Sequence, residues 1–588
     1  MTGLQIRRRP TVAVVALGLA GTVGLLSACS APSGGTDAGE SGSVAADAPF
    51  FPPTNRPDVR GTRGAVVSDH PLASAAAHDV LRRGGNAIDA AVAAAGVLAV
   101  VRPHMNGMGG DAFALIYEAA TGEVHALNGS GRAGALATPE FFAAAGDSTM
   151  PYVGPRSVSV PGAPAAWVDA AARFGTRPLS ELLAPAAGYA RDGFPVSTRL
   201  AFDFESQGGD LSEEGRTLFL PDGAPPAVGA LLRNPALAET LERIGRDGAA
   251  GFYGGPVAEA ISAFLEERGG YLREPDFAAH TSSWVEPLST DYLGHTFLVM
   301  PPNTQGLTQL QQMEMAEALD LTSLDHNSPE YLHGLIEIKK RAFADRDRWM
   351  ADPEFADIPI DQLLDDAYLA ERAASVDPQA AAETVPAGVG EPIALGPDRD
   401  GLGLGDTVYL TVVDADGNAV SWIQSLYAGF GSGLLEPTTG VVLQNRGALF
   451  TLDDGHPNQV APGKRPFHTL TPMMALRDGD LAFTIGTPGG DAQTQSLLQI
   501  THNLLVYGMT PQEAVEAPRF RSYGGLSVAI EDRVPGDIRA ALTERGHELR
   551  IVSGWTATFG GAQLIRVEPS GSLTAAADPR REAYAVAH

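Results

Sequence analysis

The stretch GLGLGDTVYLTVVDADGNAVSWIQS, residues 401 to 425, places two hydroxyl side chains where they can meet. The alternating runs VYLTVV and AVSWIQS flank Asp414 to Asn418, a turn-forming cluster in which Gly417 and Asn418 tolerate positive φ, so the spacing predicts a β-hairpin. With Asp416 at its centre, Thr407 and Ser425 lie nine residues to either side. They then face each other across the ladder with Cβ atoms on the order of 5 Å apart. A threonine that opens a strand after a glycine-broken lead-in suits a nucleophile that frees its own amino terminus. The Thr407 hydroxyl would attack the Asp406 carbonyl, shift the acyl group from nitrogen to oxygen and release it by hydrolysis. The new α-amine, with an ordinary pKa of about 7.7 to 8.0, would then serve as general base for the same hydroxyl. Taken alone, the stretch also fits an edge-strand threonine after a linker.

Other signatures of chemistry are absent. There is no GxSxG elbow, no HExxH helix, no Cys-His zinc spacing and no GxxxxGK[ST] loop, so neither metal nor cofactor is expected. The runs GMGGD (107 to 111), GFGSG (429 to 433) and GTPGGD (486 to 491) each read as tight turns when taken singly.

The elements that must position Thr407 are those of a layered α/β or α+β chain. Ala65 to Ser68 reads as a strand and Pro71 to Arg83 as a helix; the alanine-rich Ala90 to Val101 reads as a buried core helix. Ser328-Pro329 makes a helix start, with serine as N-cap and proline in the first turn. From about Asp377 to Gly405 the composition turns to Ala, Pro, Gly and Asp, which predicts an internal linker. The 588 residues are 44% hydrophobic, enough for a large core. A net charge of -29 argues against nucleic acid or an anionic membrane as partner, because little basic charge is available to replace phosphate counterions.

The amino terminus reads as a lipoprotein signal. Arg7, Arg8 and Arg9 precede an apolar run from Val12 to Leu26, and LSAC then presents Cys29, the single cysteine of the chain. A lone cysteine cannot staple the fold, but it can carry a diacylglyceryl group. The expected organisation is a signal peptide over 1–28, a lipidated stalk over 29–55, a large part over 56–406 whose last stretch, 377–406, is flexible, and a small part over 407–588. The protein is expected to be exported and lipid-anchored at the outer face of the cell membrane, touching the membrane only through that lipid.

The sequence resembles the gamma-glutamyltransferase family from about Gly64 to Phe520. The resemblance is carried by GGNAIDAAVAAAGVLAVVRPHMNGMGGDAF (84 to 113), SVSVPGAPAAW (157 to 167), MPPNTQG (300 to 306), EIKKRAFADRDRWMADP (337 to 353), DTVYLTVVDADGNAV (406 to 420), GFGSG, LQNRG (443 to 447), PGKRPFHTLTP (462 to 472) and GTPGGD, all in family order. It implies an α+β fold, a four-layer αββα N-terminal nucleophile hydrolase sandwich, self-cleaved between Asp406 and Thr407 into a large and a small subunit that stay together as a heterodimer. It places Thr407 on the nucleophile and Ser425 on a second hydroxyl bonded to it. Gly489 and Gly490 fall on the backbone donors of the oxyanion hole, and Asn445 falls on a pocket position, with Arg465 in the KRP motif beyond it.

Departures from the family pattern concern the substrate. Where glutathione-preferring members grip the α-carboxylate with arginine stands Ser130, with Arg132 two residues on. Tyr427 replaces an asparagine, Leu449 the aspartate that binds the α-ammonium, and His468-Thr469 a pair of serines. Arg446, Arg132 and His468 are the alternative carboxylate anchors. The segment from Phe450 to Pro466 is short, so a lid loop is expected to be missing and water to be favoured as acyl acceptor. The leading expectation is a cofactor-free γ-glutamyltransferase or glutathione hydrolase-type amidohydrolase acting on a small amide. An oxamate amidohydrolase-like or cephalosporin acylase-like enzyme is the alternative, and a non-catalytic solute-binding lipoprotein is the alternative from another class.

Overall fold

Asn86 starts the alanine-rich helix with a reciprocal cap. Its side-chain oxygen accepts the Asp89 amide at 2.9 Å, and the Asp89 carboxylate accepts the Asn86 amide at 3.0 Å. The computed structural model, which describes residues 54–390 and 406–588, extends this helix over Ala87–Val101 with every residue buried. A helix apolar on all sides belongs inside. It lies between a sheet and the helices Pro71–Arg82 and Leu179–Asp192. Cys29, the signal segment, the stalk through residue 53 and the lead-in over 391–405 fall outside the described residues. Asn55, placed by sequence at the end of the stalk, is fixed to the body: its amide donates to Glu516 Oε2 at 2.7 Å.

Two seven-stranded sheets form the frame. In chain order their strands are β1 (Val59–Gly61), β2 (Ala65–Ser68), β3 (Asp111–Glu118), β4 (Glu123–Gly129), β5 (Ser283–Val285), β6 (Leu288–Tyr292) and β7 (His295–Val299). There follow β8 (Asp406–Val413), β9 (Ala419–Tyr427), β10 (Met473–Arg477), β11 (Asp480–Gly486), β12 (Gln563–Val567), β13 (Leu573–Ala577) and β14 (Tyr584–Ala587). The first sheet has the order β14-β2-β8-β9-β3-β4-β5 and the second the order β1-β13-β12-β11-β10-β7-β6.

Strand β8 shows why the sheets stack. All of its residues are buried, and successive side chains point to opposite faces. Tyr409 and Val413 join a core between the sheets with Phe113, Met474 and Ile565, whereas Val408, Leu410 and Val412 join the core under the helices. The second sheet is covered on its outer face by helices Gly306–Ala318, Ala492–Leu505 and Pro511–Glu516. The result is the four-layer αββα sandwich expected from the resemblance.

The hairpin has the register read from the sequence. Val413 pairs with Ala419 and Thr407 with Ser425, and a shift between Asp406 and Thr407 leaves Asp406 opposite Tyr427. Strands β8 and β9 sit between β2 and β3, so a cut before Thr407 would leave both fragments sharing one sheet. The stretch 377–390, assigned to a flexible linker, carries neither helix nor strand but is held in place. Lys340 Nζ donates to the Ala382 carbonyl at 2.7 Å, the Gly388 amide to Asp345 Oδ1 at 2.8 Å, and Trp349 Nε1 to the Val389 carbonyl at 2.9 Å. One helix, Pro329–Trp349, supplies all three partners. Its N-cap is Ser328, whose side chain accepts the Tyr331 amide at 3.3 Å. No described helix is long and apolar enough to cross a membrane.

Candidate active site

Thr407 and Asp406 are both almost wholly buried at the end of β8. The Thr407 hydroxyl donates to Ser425 Oγ at 3.0 Å, and Ser425 Oγ donates to the Asp406 carbonyl at 2.7 Å. The two bonds connect the Thr407 hydroxyl, through Ser425, to the carbonyl of the peptide bond that precedes it. The Tyr427 amide also donates to Ser425 Oγ, at 2.8 Å. Tyr427 reaches this position at φ 81°, a left-handed conformation rare for an aromatic residue. The turn is pinned from the other side by Asn445, whose Oδ1 accepts the Ala428 amide at 3.0 Å and whose Nδ2 donates to the Tyr152 carbonyl at 2.8 Å. Asn445 thus braces the turn that aims Ser425.

The glycine pair comes from the opposite sheet. Thr411 of β8 meets Thr484 of β11 at 2.5 Å between hydroxyls, and two residues along each strand the Tyr409 ring lies against Gly486. A Cβ on Gly486 would sit 2.2 Å from that ring, so no larger residue fits there. Strand β11 ends at Gly486, and the turn over 488–490 follows it. Gly489 has φ 131° and Gly490 φ 58°, a turn that presents backbone amides at the start of helix Ala492–Leu505. Gln305 holds this turn through Nε2, which reaches the Thr469 carbonyl at 2.7 Å and the Gly490 carbonyl at 3.3 Å. Its Oε1 accepts Arg346 Nη1 at 3.0 Å, and the same nitrogen donates to Asp491 at 2.7 Å.

Beyond Ser425 the sheet carries a buried polar cluster. Asp111 of β3 pairs with Ser425 of β9, and Ser130 follows β4 at the same edge. Ser130 Oγ bonds His468 Nε2 at 2.7 Å, and that nitrogen lies 3.5 Å from Asp111 Oδ2. Arg446 stands over the Tyr427 ring at 4.9 Å with its Nε 3.8 Å from Asp111 Oδ2, and among the described residues its nitrogens have no hydrogen-bond partner. Burial pushes Asp111 up to about 6 despite Arg446 and the Gly131 amide, and burial lowers Arg446 to about 10 despite Asp111. Both shifts run toward the neutral form, so desolvation outweighs the attraction within this long pair. Burial, then Arg446 and Arg465, holds His468 well below the ordinary histidine range, so it is a neutral ring.

This pairing has a measurable consequence. An aspartate with a folded pKa near 6 and an unfolded one near 3.8 binds more protons when folded; its contribution to stability is complete below pH 3.8 and is lost as pH rises through 6. Arg446→Met removes the opposing cation, so unfolding experiments should show a loss of about 3 to 5 kcal/mol at pH 8 and a smaller loss at pH 5. Adding Asp111→Asn should recover most of it. Equal losses at both pH values would show that the two side chains do not act as a pair.

The residues singled out from the sequence separate into groups. Thr407, Ser425 and Asp406 converge, with Tyr427 and Asn445 bracing them. Ser130, His468 and Arg446 form the cluster around Asp111. Arg132 is engaged elsewhere: it donates to the Gly463 carbonyl at 2.9 Å and to Glu354 Oε1 at 2.8 Å. Arg465 joins the same group through Glu354 at 2.9 Å and the Ser130 carbonyl at 3.2 Å. Thr469 uses its carbonyl for Gln305. Leu449 is buried in an apolar cluster with Tyr427 and Ala448, against Tyr152 and Phe467. The short segment before Phe467 is tied down, Asn458 Nδ2 donating to the Leu449 carbonyl at 2.7 Å. Sequence reading missed Asp111, although it ends the GMGGD run, and Arg581, which touches Asp406. Of the described acidic and histidine groups close enough to share an ion, His333, Glu337 and His547 are buried, but Lys340 at 2.7 Å and Arg341 at 3.1 Å already neutralise Glu337.

The pattern of the family described as Gamma-glutamyltranspeptidase matches residues 73–588. The chain is similar to the glutathione hydrolase-like YwrD proenzyme of Bacillus subtilis, with 40% identity over 90% of this chain and 99% of that one. It is similar to the oxamate amidohydrolase proenzyme of Klebsiella pneumoniae, with 38% identity over 90% of this chain and 99% of the relative. Among solved structures, cephalosporin acylase from Bacillus halodurans superposes with a TM-score of 0.84 at 37% identity, covering 93% of this chain and 99% of that chain. The hydroxyl pair at the strand end and the match over nearly the whole body agree: the chain belongs to the gamma-glutamyltranspeptidase family of enzymes.

Proposed function

We propose that the protein is a self-processing amidohydrolase in which Thr407 first cuts its own chain and then hydrolyses a small amide through an ester on the same oxygen. The observation that carries this reading is the relay from Thr407 Oγ to Ser425 Oγ to the Asp406 carbonyl, at 3.0 and 2.7 Å. In the first event Oγ adds to the Asp406 carbonyl carbon while its proton passes through Ser425 to the carbonyl oxygen. Collapse breaks the C–N bond, the nitrogen takes a proton, and an Asp406 ester on Thr407 remains. Water then cleaves the ester to leave an Asp406 carboxylate and a free Thr407 amine. In the second event that amine takes the hydroxyl proton, Oγ attacks the substrate carbonyl, and the Gly489 and Gly490 amides receive the oxyanion; collapse breaks the substrate C–N bond, the ammonium passes its proton to the departing amine, and an ester on Oγ remains. Water resolves the acyl-enzyme. The names of the similar proteins, two of them proenzymes, support self-cleavage before hydrolysis.

The substrate is proposed to be an amide whose acyl half carries no ammonium group. Leu449 lies in an apolar cluster where an ammonium would be stranded, and Ser130 is bonded to a neutral His468. A panel of glutathione, a γ-glutamyl anilide, oxamate and a glutaryl amide tests this with processed protein. We expect oxamate or the glutaryl amide to exceed the γ-glutamyl compounds by at least about tenfold in kcat/KM, the worth of one charged contact. A preference for glutathione would refute it.

Export and a lipid on Cys29 complete the proposal, supported by the arginine-led apolar segment and the single cysteine. Membrane-fraction labelling with a radioactive fatty acid should mark the large fragment and vanish in Cys29→Ser. A label that persists in the variant would place the anchor elsewhere, and an unlabelled wild type would refute it.

A further inference from the structure

One buried cation contacts the residue that self-cleavage would release. Arg581, two residues beyond Pro579 and just before β14, reaches Asp406 Oδ1 with Nη1 and Nη2, each at 3.4 Å. Both side chains are at most 2% exposed. The same Nη1 touches Met105 Sδ at 3.4 Å, and the arginine stem lies over Gly561, where a Cβ would come within 2.7 Å of it. Arg581 is therefore held by the fold and does not follow Asp406 when the lead-in departs.

We propose that Arg581 is an anion site filled by the Asp406 side chain in the uncut chain, vacated by self-cleavage, and then occupied by a carboxylate on the acyl half of the substrate. This rests on the Thr407 mechanism above. The carbonyl carbon of Asp406 is the first electrophile that Thr407 meets, and its carboxylate carbon lies three bonds further on. The precursor thus displays, in place, an acyl group of succinyl length with its carbonyl at the nucleophile and its carboxylate on Arg581. An amide of a four-carbon dicarboxylic acid has the same span.

The neighbouring charges leave room for that anion. Arg102 is paired with Glu582 at 3.0 Å and Arg199 with Asp203 at 2.8 Å. Asp69 is the remaining acid facing Arg581; its Oδ1 accepts Gln563 Nε2 at 3.1 Å, and burial already pushes its pKa up to about 6. A second carboxylate nearby, such as Asp406 in the uncut chain, raises it further. Arg446, the other buried guanidinium near the nucleophile, keeps its Asp111 neighbour whether or not the chain is cut.

The experiment compares the thermal stability of self-cleaved wild type and uncut Thr407→Ala in N-methylsuccinamate and in its uncharged analogue N-methylbutanamide. The expected result is a rise in melting temperature for cleaved wild type with the succinamate only. Uncut Thr407→Ala should not respond, because Asp406 still holds Arg581. Cleaved Arg581→Gln should lose the response, and the preference of wild type for succinyl over butyryl anilide, about ten- to a hundredfold in kcat/KM, should disappear with butyryl activity retained. Equal responses in cut and uncut protein, equal responses to the two amides, or none at all would overturn the proposal. If Arg581→Gln does not self-cleave, the wild type and Thr407→Ala comparison decides. Failure of the Thr407 mechanism is read separately, as wild type that stays one band on a denaturing gel.

Discussion

Thr407→Ala is expected to leave the protein as one uncut chain and to lower amide hydrolysis by at least about 10³-fold, the scale on which loss of a nucleophile is felt. On the proposed mechanism two events fail together, because the same oxygen would open the Asp406-Thr407 bond and later carry the acyl group. The variant should fold. Thr407→Ala removes a hydroxyl and a methyl near the start of a strand whose Val408, Leu410 and Val412 stay in one core and whose Tyr409 and Val413 stay in another. Thr407→Ser keeps the oxygen and should still split, giving the same two bands on a denaturing gel. An Ala variant that cut at the same bond would require another nucleophile.

Ser425→Ala has the second largest expected effect, and its pattern differs. Ser425 Oγ accepts from Thr407 at 3.0 Å and from the Tyr427 amide at 2.8 Å, and donates to the Asp406 carbonyl at 2.7 Å. Its removal takes the relay from the nucleophile and one donor from the developing oxyanion, which costs about 10²- to 10³-fold in comparable sites. Self-cleavage should slow by that factor, so that freshly purified Ser425→Ala is mostly uncut and splits over hours. Ser425→Thr keeps the hydroxyl and should process at close to the wild-type rate. A Ser425→Ala protein that matures normally would show that the carbonyl is activated by another group.

Much of the frame was legible because it is local. The cap at Asn86 and the alanine run after it define a buried helix. The pattern of VYLTVV and AVSWIQS around Asp414 to Asn418 sets a register in which Thr407 must meet Ser425. The pocket was less legible because it is assembled across long separations. Asp111, His468 and Arg446 come from three segments, brought together only by the strand order of the first sheet and the loops beyond it. No periodicity announces such a meeting. Arg581 is harder still, since its partner Asp406 lies 175 residues earlier and the two meet only once β14 pairs with β2. The composition of 377–390 reads as a flexible linker and does not reveal that the stretch is held in place. Its backbone is satisfied by Lys340, Asp345 and Trp349, residues whose reach depends on how their helix packs.

The arrangement also explains why a cut before Thr407 need not dissolve the enzyme. Strands β8 and β9 lie inside the first sheet, hydrogen-bonded to β2 and β3, and β10 pairs with β7 in the second. Both fragments therefore contribute to each sheet and to the core between them.

The most direct measurement is the intact mass and amino-terminal sequence of the smaller fragment, taken before and during turnover of an amide quenched in acid. The prediction is a fragment that begins Thr-Val-Tyr-Leu and, during turnover, carries the mass of one acyl group on that first residue. A fully active protein that remains a single chain, or a fragment beginning at any other residue, would contradict the assignment of Thr407 as the residue that cuts and then catalyses.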